Sequence, residues 1–200
     1  MSDAALKLIL ASRSPRRSEL LREAGYAFEV ILPSEAAEGG ARGGESPMQL
    51  VERLARQKAA DVAGHLDEGL VLGCDTVAEC GGQILGKPAG REDARRMLEL
   101  LRGQEHRVYS GLCLWRRPDD RVVSKVAATT LRMDDISDEQ LADYLAGGQW
   151  EGKAGAFGYQ DRLGWIHVAR GSESNVVGLP LELLAAMLRD LAPAGRCDNL

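Results

Sequence analysis

The chain opens on a short, unbroken apolar block at residues 7–11 (KLILA), the pattern of a strand covered on both faces. From Arg16 onward the period changes. Leu20, Leu21 and Ala24 recur at helical spacing up to Gly25, with Ser14 in position to cap the helix and Pro15 in its first turn, where a missing N–H is harmless. Residues 26–32 (YAFEVIL) read as a second strand. A Gly- and Glu-rich loop, PSEAAEGGARGGES, follows and is long enough to suspect a function. It ends at a predicted Ser46 cap and Pro47. The helix predicted over 47–64 carries Leu50, Val51, Leu54, Ala55, Ala59 and Val62 as its apolar stripe, and Lys58 lies on that stripe.

Residues 70–80 (LVLGCDTVAEC) predict a strand, and Gly81-Gly82 a tight turn into QIL. A helix over 91–102 precedes two long alternating strands, 106–117 and 121–133, joined around Pro118-Asp119-Asp120. SDEQLADYLAGG reads as a short helix with a Ser137/Gln140 capping box and terminal glycines. A second Gly-rich segment, 147–165, leads to a strand at 165–169 and a closing helix over 179–192, with 193–200 as a loose tail. Strands and helices alternate early and a long hairpin fills the middle, so the predicted class is α/β with a mixed sheet.

Composition narrows this picture. A chain of 200 residues with 44% hydrophobic and 28% charged content fits one large domain or two tightly fused lobes. A net charge of −5 argues against an extended nucleic-acid or membrane surface, so an anionic ligand must be met by local positive charge. The first apolar run is too short for a signal peptide or a membrane span, which leads us to expect a cytoplasmic protein. Cys74, Cys80, Cys113 and Cys197 show no C-x-x-C pair and are read as reduced thiols. His65, His106 and His167 share no metal or triad spacing and are read as structural or surface residues.

Against that acidic background the turn ASRSPRR stands out. A buried strand stops, the N–H groups of a new helix open outward, and Arg13, Arg16 and Arg17 surround them. Arginines oppose the helix dipole there, so the turn reads either as an anion site or as a solvated basic turn paired with Glu19 or Glu23. It is not a P-loop, because no G-x-x-x-x-G-K-[ST] is present. Asp75 sits inside an apolar strand, where a carboxylate is costly unless paired or metal-bound. Lys87 follows a hairpin and can reach a phosphate or remain an ordinary surface lysine. Lys58 either snorkels to the rim of its helix or points its charge into a cleft. In EGKAGAFGYQ, glycines bracket Lys153 and permit close backbone approach, while Gln160 offers a donor and an acceptor for a base edge.

Taken in order, ASRSPRR, VERLARQKA, CDTV, GKP, KAGAFGYQ and SNVVGLPL resemble the Maf family of nucleoside triphosphate pyrophosphatases across nearly the whole chain. The resemblance implies an elongated mixed sheet with flanking helices, two lobes around a central cleft within residues 1–192, similar to inosine triphosphate pyrophosphatases. It implies a hydrolase dependent on Mg2+ or Mn2+ that releases a nucleoside monophosphate and pyrophosphate, and a homodimer. Family phosphate-binding positions fall on Ser12, Ser14, Arg16, Arg17, Lys58 and Lys87, with Lys153 added as a substrate ligand. The proton acceptor falls on Asp75, which is also a metal ligand together with Glu38, or alternatively Glu35. Arg16, Thr76 and Gln160 look like the branch acting on dTTP and UTP. The usual Tyr-Gly-Ile-Gln-Gly reads Phe157-Gly158-Tyr159-Gln160-Asp161 here, so a tyrosine and an acid flank the glutamine. Alternative readings are a pyrophosphatase for non-standard purine nucleotides and a non-catalytic nucleotide-binding regulator of septum formation.

Overall fold

The computed structural model describes residues 6–161 and 163–191; the predicted tail at 193–200 and Cys197 lie outside them. Seven strands among the described residues form one sheet: β1 Leu8–Ala11, β2 Phe28–Val30, β3 Gly69–Cys80, β4 Gln83–Leu85, β5 Glu105–Arg117, β6 Arg121–Met133 and β7 Ile166–Arg170. Their order is β2-β1-β3-β5-β6-β7, with β4 beside β3. β2, β1 and β3 run parallel, and the pairs from β3 to β7 are antiparallel, so the sheet is mixed as predicted. The helices are α1 Pro15–Glu23, α2 Pro47–Ala63, α3 Arg91–Leu101, α4 Asp138–Ala146, α5 Glu173–Val177 and α6 Leu181–Leu191.

The uninterrupted apolar block of β1 is explained by helices on both sides. Leu8 and Leu10 pack with Leu20 and Leu21 of α1 and with Leu184 and Met187 of α6. Ile9 and Ala11 face Ala55, Ala59 and Val62 of α2. A second core gathers at the far ends of β3, β5 and β6, where Met97, Leu98 and Leu101 of α3 and Leu141 and Leu145 of α4 close over Ala78, Val108 and Leu131. Each fully buried leucine in these clusters contributes about 1.5–3 kcal/mol. The two cores lie toward opposite ends of the long strands, and the cleft opens between them.

One glycine governs how closely α2 approaches the sheet. A Cβ on Gly73 would lie 2.8 Å from the Ala59 nitrogen and would overlap the Ala55 carbonyl. Its absence lets the helix backbone rest on β3, which brings Lys58 over the strand that carries Asp75.

The differences from expectation have local causes. The strand expected over 26–32 shortens to Phe28–Val30, because its one partner, β1, is itself four residues long. Ser14 holds the N-cap position of α1 without a side-chain cap bond; its N–H instead donates to Ser12 Oγ at 3.2 Å. The closing helix starts at Leu181 rather than 179. Before it comes α5, too short to show a period in the sequence, started by Ser172 and ended at Gly178 with φ 124°. The capping box at Ser137 and Gln140 is present, and a second one, unforeseen, joins Ser46 and Gln49. Cys74, Cys80 and Cys113 are buried, unpaired thiols. Among the described residues no helix is long and apolar enough to cross a membrane.

Candidate active site

A cavity of about 690 Å³ lies where the two cores part, and Ser12, Ser14, Arg16, Arg17, Glu38, Lys58, Asp75, Thr76, Lys87, Lys153 and Gln160 all line it. The residues that sequence patterns single out therefore converge on one cleft. Glu35, the alternative to Glu38, does not line it; a single 3₁₀ turn at Glu35–Ala37 buries Ala37 and directs Glu38 toward the cleft.

The turn after β1 is built around Arg17. Its Nε donates to the Gly178 carbonyl at 2.9 Å, Nη1 to Ser12 Oγ at 3.1 Å and Nη2 to Thr76 Oγ1 at 3.1 Å. Ser110 shares a 2.8 Å hydroxyl–hydroxyl bond with Thr76. Only 9% of Arg17 is exposed, so this guanidinium ties β1, β3 and the α5–α6 connection together and leaves its charge facing the cleft. Arg16, by contrast, reaches across the opening and donates to the Gly152 carbonyl at 2.8 Å. Arg13, without an assigned role in the sequence, donates to the Pro33 carbonyl at 3.0 Å and anchors the start of the long loop. The alternative reading of this turn, paired with Glu19 or Glu23, is not represented among its hydrogen bonds between described residues.

Lys58 settles the question raised by its place on an apolar stripe. It is 4% exposed, and its Nζ lies 2.7 Å from Asp75 Oδ1 and 2.9 Å from Glu38 Oε2. The long loop is laid along α2 so as to present Glu38. Ser34 donates through its N–H and hydroxyl to Asp61 at 2.8 and 2.6 Å, and Arg53 donates to the Gly40 carbonyl at 2.9 Å and to Glu45. Partial burial pushes the Glu38 carboxyl up, but the hydrogen bond and charge of Lys58, with Lys87 and Arg17 behind it, leave it below the ordinary glutamate value. For Lys87, withdrawal from solvent lowers the pKa more than Glu38 raises it.

The far wall comes from the second Gly-rich segment. Lys153 Nζ meets both oxygens of Asp161, at 2.6 and 2.5 Å, and Tyr144 donates to Asp161 Oδ2 at 3.0 Å. Lys153 is thus paired within the wall. Gln160 is exposed at the cleft margin.

Sequence reasoning missed Ser110 and Asn175. Ser110 is fully buried in β5, and Asn175 donates through Nδ2 to the Val108 carbonyl at 3.1 Å and to Thr129 at 2.9 Å, locking α5 to the sheet below the cleft. A polar residue inside the apolar alternation of 106–117 was the available signal for Ser110; Asn175 had none beyond its place in SNVVGLPL.

The acid pair suits a hard divalent cation. Asp75 and Glu38 converge on one ammonium, each through a single oxygen, and both open onto a cationic cleft. Among the described residues no group of three or more His, Cys, Asp and Glu forms a protein cage for a metal. Two carboxylates completed by waters and substrate phosphates are the usual surroundings of Mg2+.

Comparisons with known proteins cover most of the chain. A family model described as Maf-like protein matches residues 7–191. A dTTP/UTP pyrophosphatase of Rhodopirellula baltica is 53% identical over 184 residues, 92% of this chain and 81% of its own length. One from Dictyoglomus thermophilum is 39% identical over 186 residues, 92% of this chain and 96% of its own. Among solved structures, the Ham1 protein of Staphylococcus aureus superposes with a TM-score of 0.53 at 13% identity, covering 93% of this chain and 100% of its own, a likeness of fold.

Proposed function

The chain belongs to the Maf family, and from that premise we propose that its cleft hydrolyses dTTP and UTP to the nucleoside monophosphate and pyrophosphate. The observation that carries this reading is the placing of one strand carboxylate, Asp75, against Lys58 in a cleft also lined by Arg16, Arg17 and Lys87. A polyphosphate needs the cations, and hydrolysis needs an acceptor for the proton of water.

In this reading Asp75 orients a water and takes its proton as the oxygen bonds the α-phosphorus; the bond to the bridging oxygen breaks, and its electron pair leaves with pyrophosphate. Arg16, Lys87 and the N–H groups at the start of α1 hold the departing charge. Lys58 holds and aims the Asp75 carboxylate through its 2.7 Å contact, and Arg17 adds positive potential from behind the turn it braces. A divalent cation held by Asp75 and Glu38 with the phosphates would neutralise the phosphate chain and acidify the bound water. Thr76 acts through its hydrogen bond to Arg17, and Gln160 offers its amide to the base edge. The cytoplasmic location and the homodimer implied by the family belong to the same proposal; light scattering tests the second.

The test is a panel of dTTP, UTP, CTP, ITP and 7-methyl-GTP, read as pyrophosphate release with Mg2+ or Mn2+ against a metal-free control. Fastest cleavage of dTTP and UTP is expected. Faster cleavage of ITP or 7-methyl-GTP overturns the pyrimidine preference, and no release from any nucleotide overturns the hydrolase.

A further inference from the structure

The turn that carries Gln160 is tied down on both sides. On one side Tyr159 donates from its hydroxyl to Glu173 Oε1 of α5 at 2.9 Å. On the other, Asp161 receives Lys153 on both oxygens and Tyr144 on one, with side-chain exposures of 15% for Asp161 and 13% for Lys153. Tyr144 is itself 4% exposed, in the core under α4. A Cβ on Gly158 would overlap Lys153 Nζ and approach Asp161 Oδ2 at 2.5 Å, so a side chain there would have to displace the pair. The Asp161 N–H closes the turn onto the Gly158 carbonyl at 3.2 Å. Gln160 thus stands between two anchored neighbours, and the buried anchor is Asp161.

We propose that Asp161 is a positioning residue for base selection: by binding Lys153 and Tyr144 it fixes the 158–161 turn and so holds the Gln160 amide at the place where a base edge is read. The inference rests on the proposed nucleotide hydrolysis and concerns how the site chooses, not whether it cleaves. Charge supports it as well as geometry. Asp161 offsets the Lys153 ammonium in the wall, so Lys153 does not compete with Gln160 for the base carbonyls. Removing one partner of a buried pair of this kind strands the other charge, so the turn depends on both.

The experiment compares wild type with Asp161→Asn, Asp161→Glu, Gln160→Ala and the Asp161→Asn/Gln160→Ala double variant. Two quantities are read: kcat/KM for dTTP over GTP, and the Kd ratio for their α,β-methylene analogues. Asp161→Asn is expected to lower both ratios roughly tenfold or more, with a larger change in KM than in kcat, and Asp161→Glu to restore part of the loss. In the Gln160→Ala background the Asp161 substitution should change neither ratio. An unchanged ratio in Asp161→Asn, or an equal fall in both backgrounds, overturns the proposal. If Asp161→Asn fails to fold, Asp161→Asn/Lys153→Met, which leaves no unpaired ammonium, carries the test and should still show the lost preference; wild-type ratios in that variant overturn the proposal. A wild type that cleaves no nucleotide overturns the hydrolase reading, while the Kd ratios still decide the part played by Asp161.

Discussion

Gly111 on β5 stands directly across the ladder from Asp75 on β3, and a Cβ at Gly111 would overlap the carbonyl of Val51 in α2. The acid and the bare position opposite it are two parts of one arrangement. Gly73 and Gly111 let α2 rest on the sheet, and that contact places Lys58 within bonding distance of Asp75.

Gly111→Ala should therefore harm both stability and catalysis. The obstacle is helix backbone, which cannot yield as a flexible side chain would, so a loss of about 3 kcal/mol is expected, at the upper end of the overpacking range. Urea denaturation checks it. The same variant should lose pyrophosphate release as Lys58 is lifted from Asp75, whereas Gly81→Ala, at a surface turn with open space around it, should cost about 1 kcal/mol through its positive φ and leave turnover intact.

Asp75→Asn keeps the shape and an oxygen for Lys58 but removes the proton acceptor. Turnover should fall roughly 10²–10⁴-fold. Binding of α,β-methylene dTTP measured without divalent cation should remain within a few-fold of wild type, because Arg16, Lys87 and the N–H groups at the start of α1 are untouched. Calorimetry and a pyrophosphate assay on the same preparation separate the two effects, and near-normal hydrolysis would sink the assignment of Asp75.

Lys58→Met leaves Glu38 and Asp75 facing one another without their shared cation. The ammonium is buried and the carboxylates are partly exposed, so about 2 kcal/mol of stability should be lost at neutral pH. Added Mg2+ should raise the melting temperature of this variant more than that of wild type, since the vacated place between two carboxylates attracts a divalent cation. Equal shifts in the two proteins would contradict the shared position of Glu38 and Asp75.

Both decisive side chains were visible in the sequence as anomalies: a lysine on an apolar helical stripe and an aspartate inside an apolar strand. Each broke a local period, and each breach proved to be the other's partner. The long elements were legible for the same reason, since periods of 3.6 and 2 are local properties. What could not be read was contact made by segments without a period. The 3₁₀ turn that selects Glu38 over Glu35 depends on Ser34 meeting Asp61 of α2, and the Lys153–Asp161 pair depends on a loop folding back on itself. The fate of Arg17 was hidden too, because its partners, Thr76 and Gly178, lie 59 and 161 residues away.

His106 carries the last prediction, on pH. It is 2% exposed, its ring meets Phe157 edge-on at 5.1 Å, and neither ring nitrogen has a hydrogen-bond partner among the described residues. Burial lowers its pKa from 6.5 to about 4, with the Glu79 charge pulling slightly back. Above pH 6.5 the folded and unfolded chains both hold it neutral, so it adds no pH dependence there. Between pH 6.5 and 4 the unfolded chain takes up a proton that the folded one refuses, and stability falls as pH drops; below about 4 the loss is complete. The full drop is about 3 kcal/mol, from roughly 1.4 kcal/mol per unit. His106→Phe should flatten this segment of the stability–pH curve and, by removing two unpaired buried nitrogens, stabilise the protein at pH 7 if the larger ring is accommodated. His106→Leu supplies the smaller control. Denaturant midpoints measured from pH 7 to 4 decide the matter: a slope in both variants as steep as in wild type would place the acid sensitivity elsewhere, beginning with Glu38 beside Lys58.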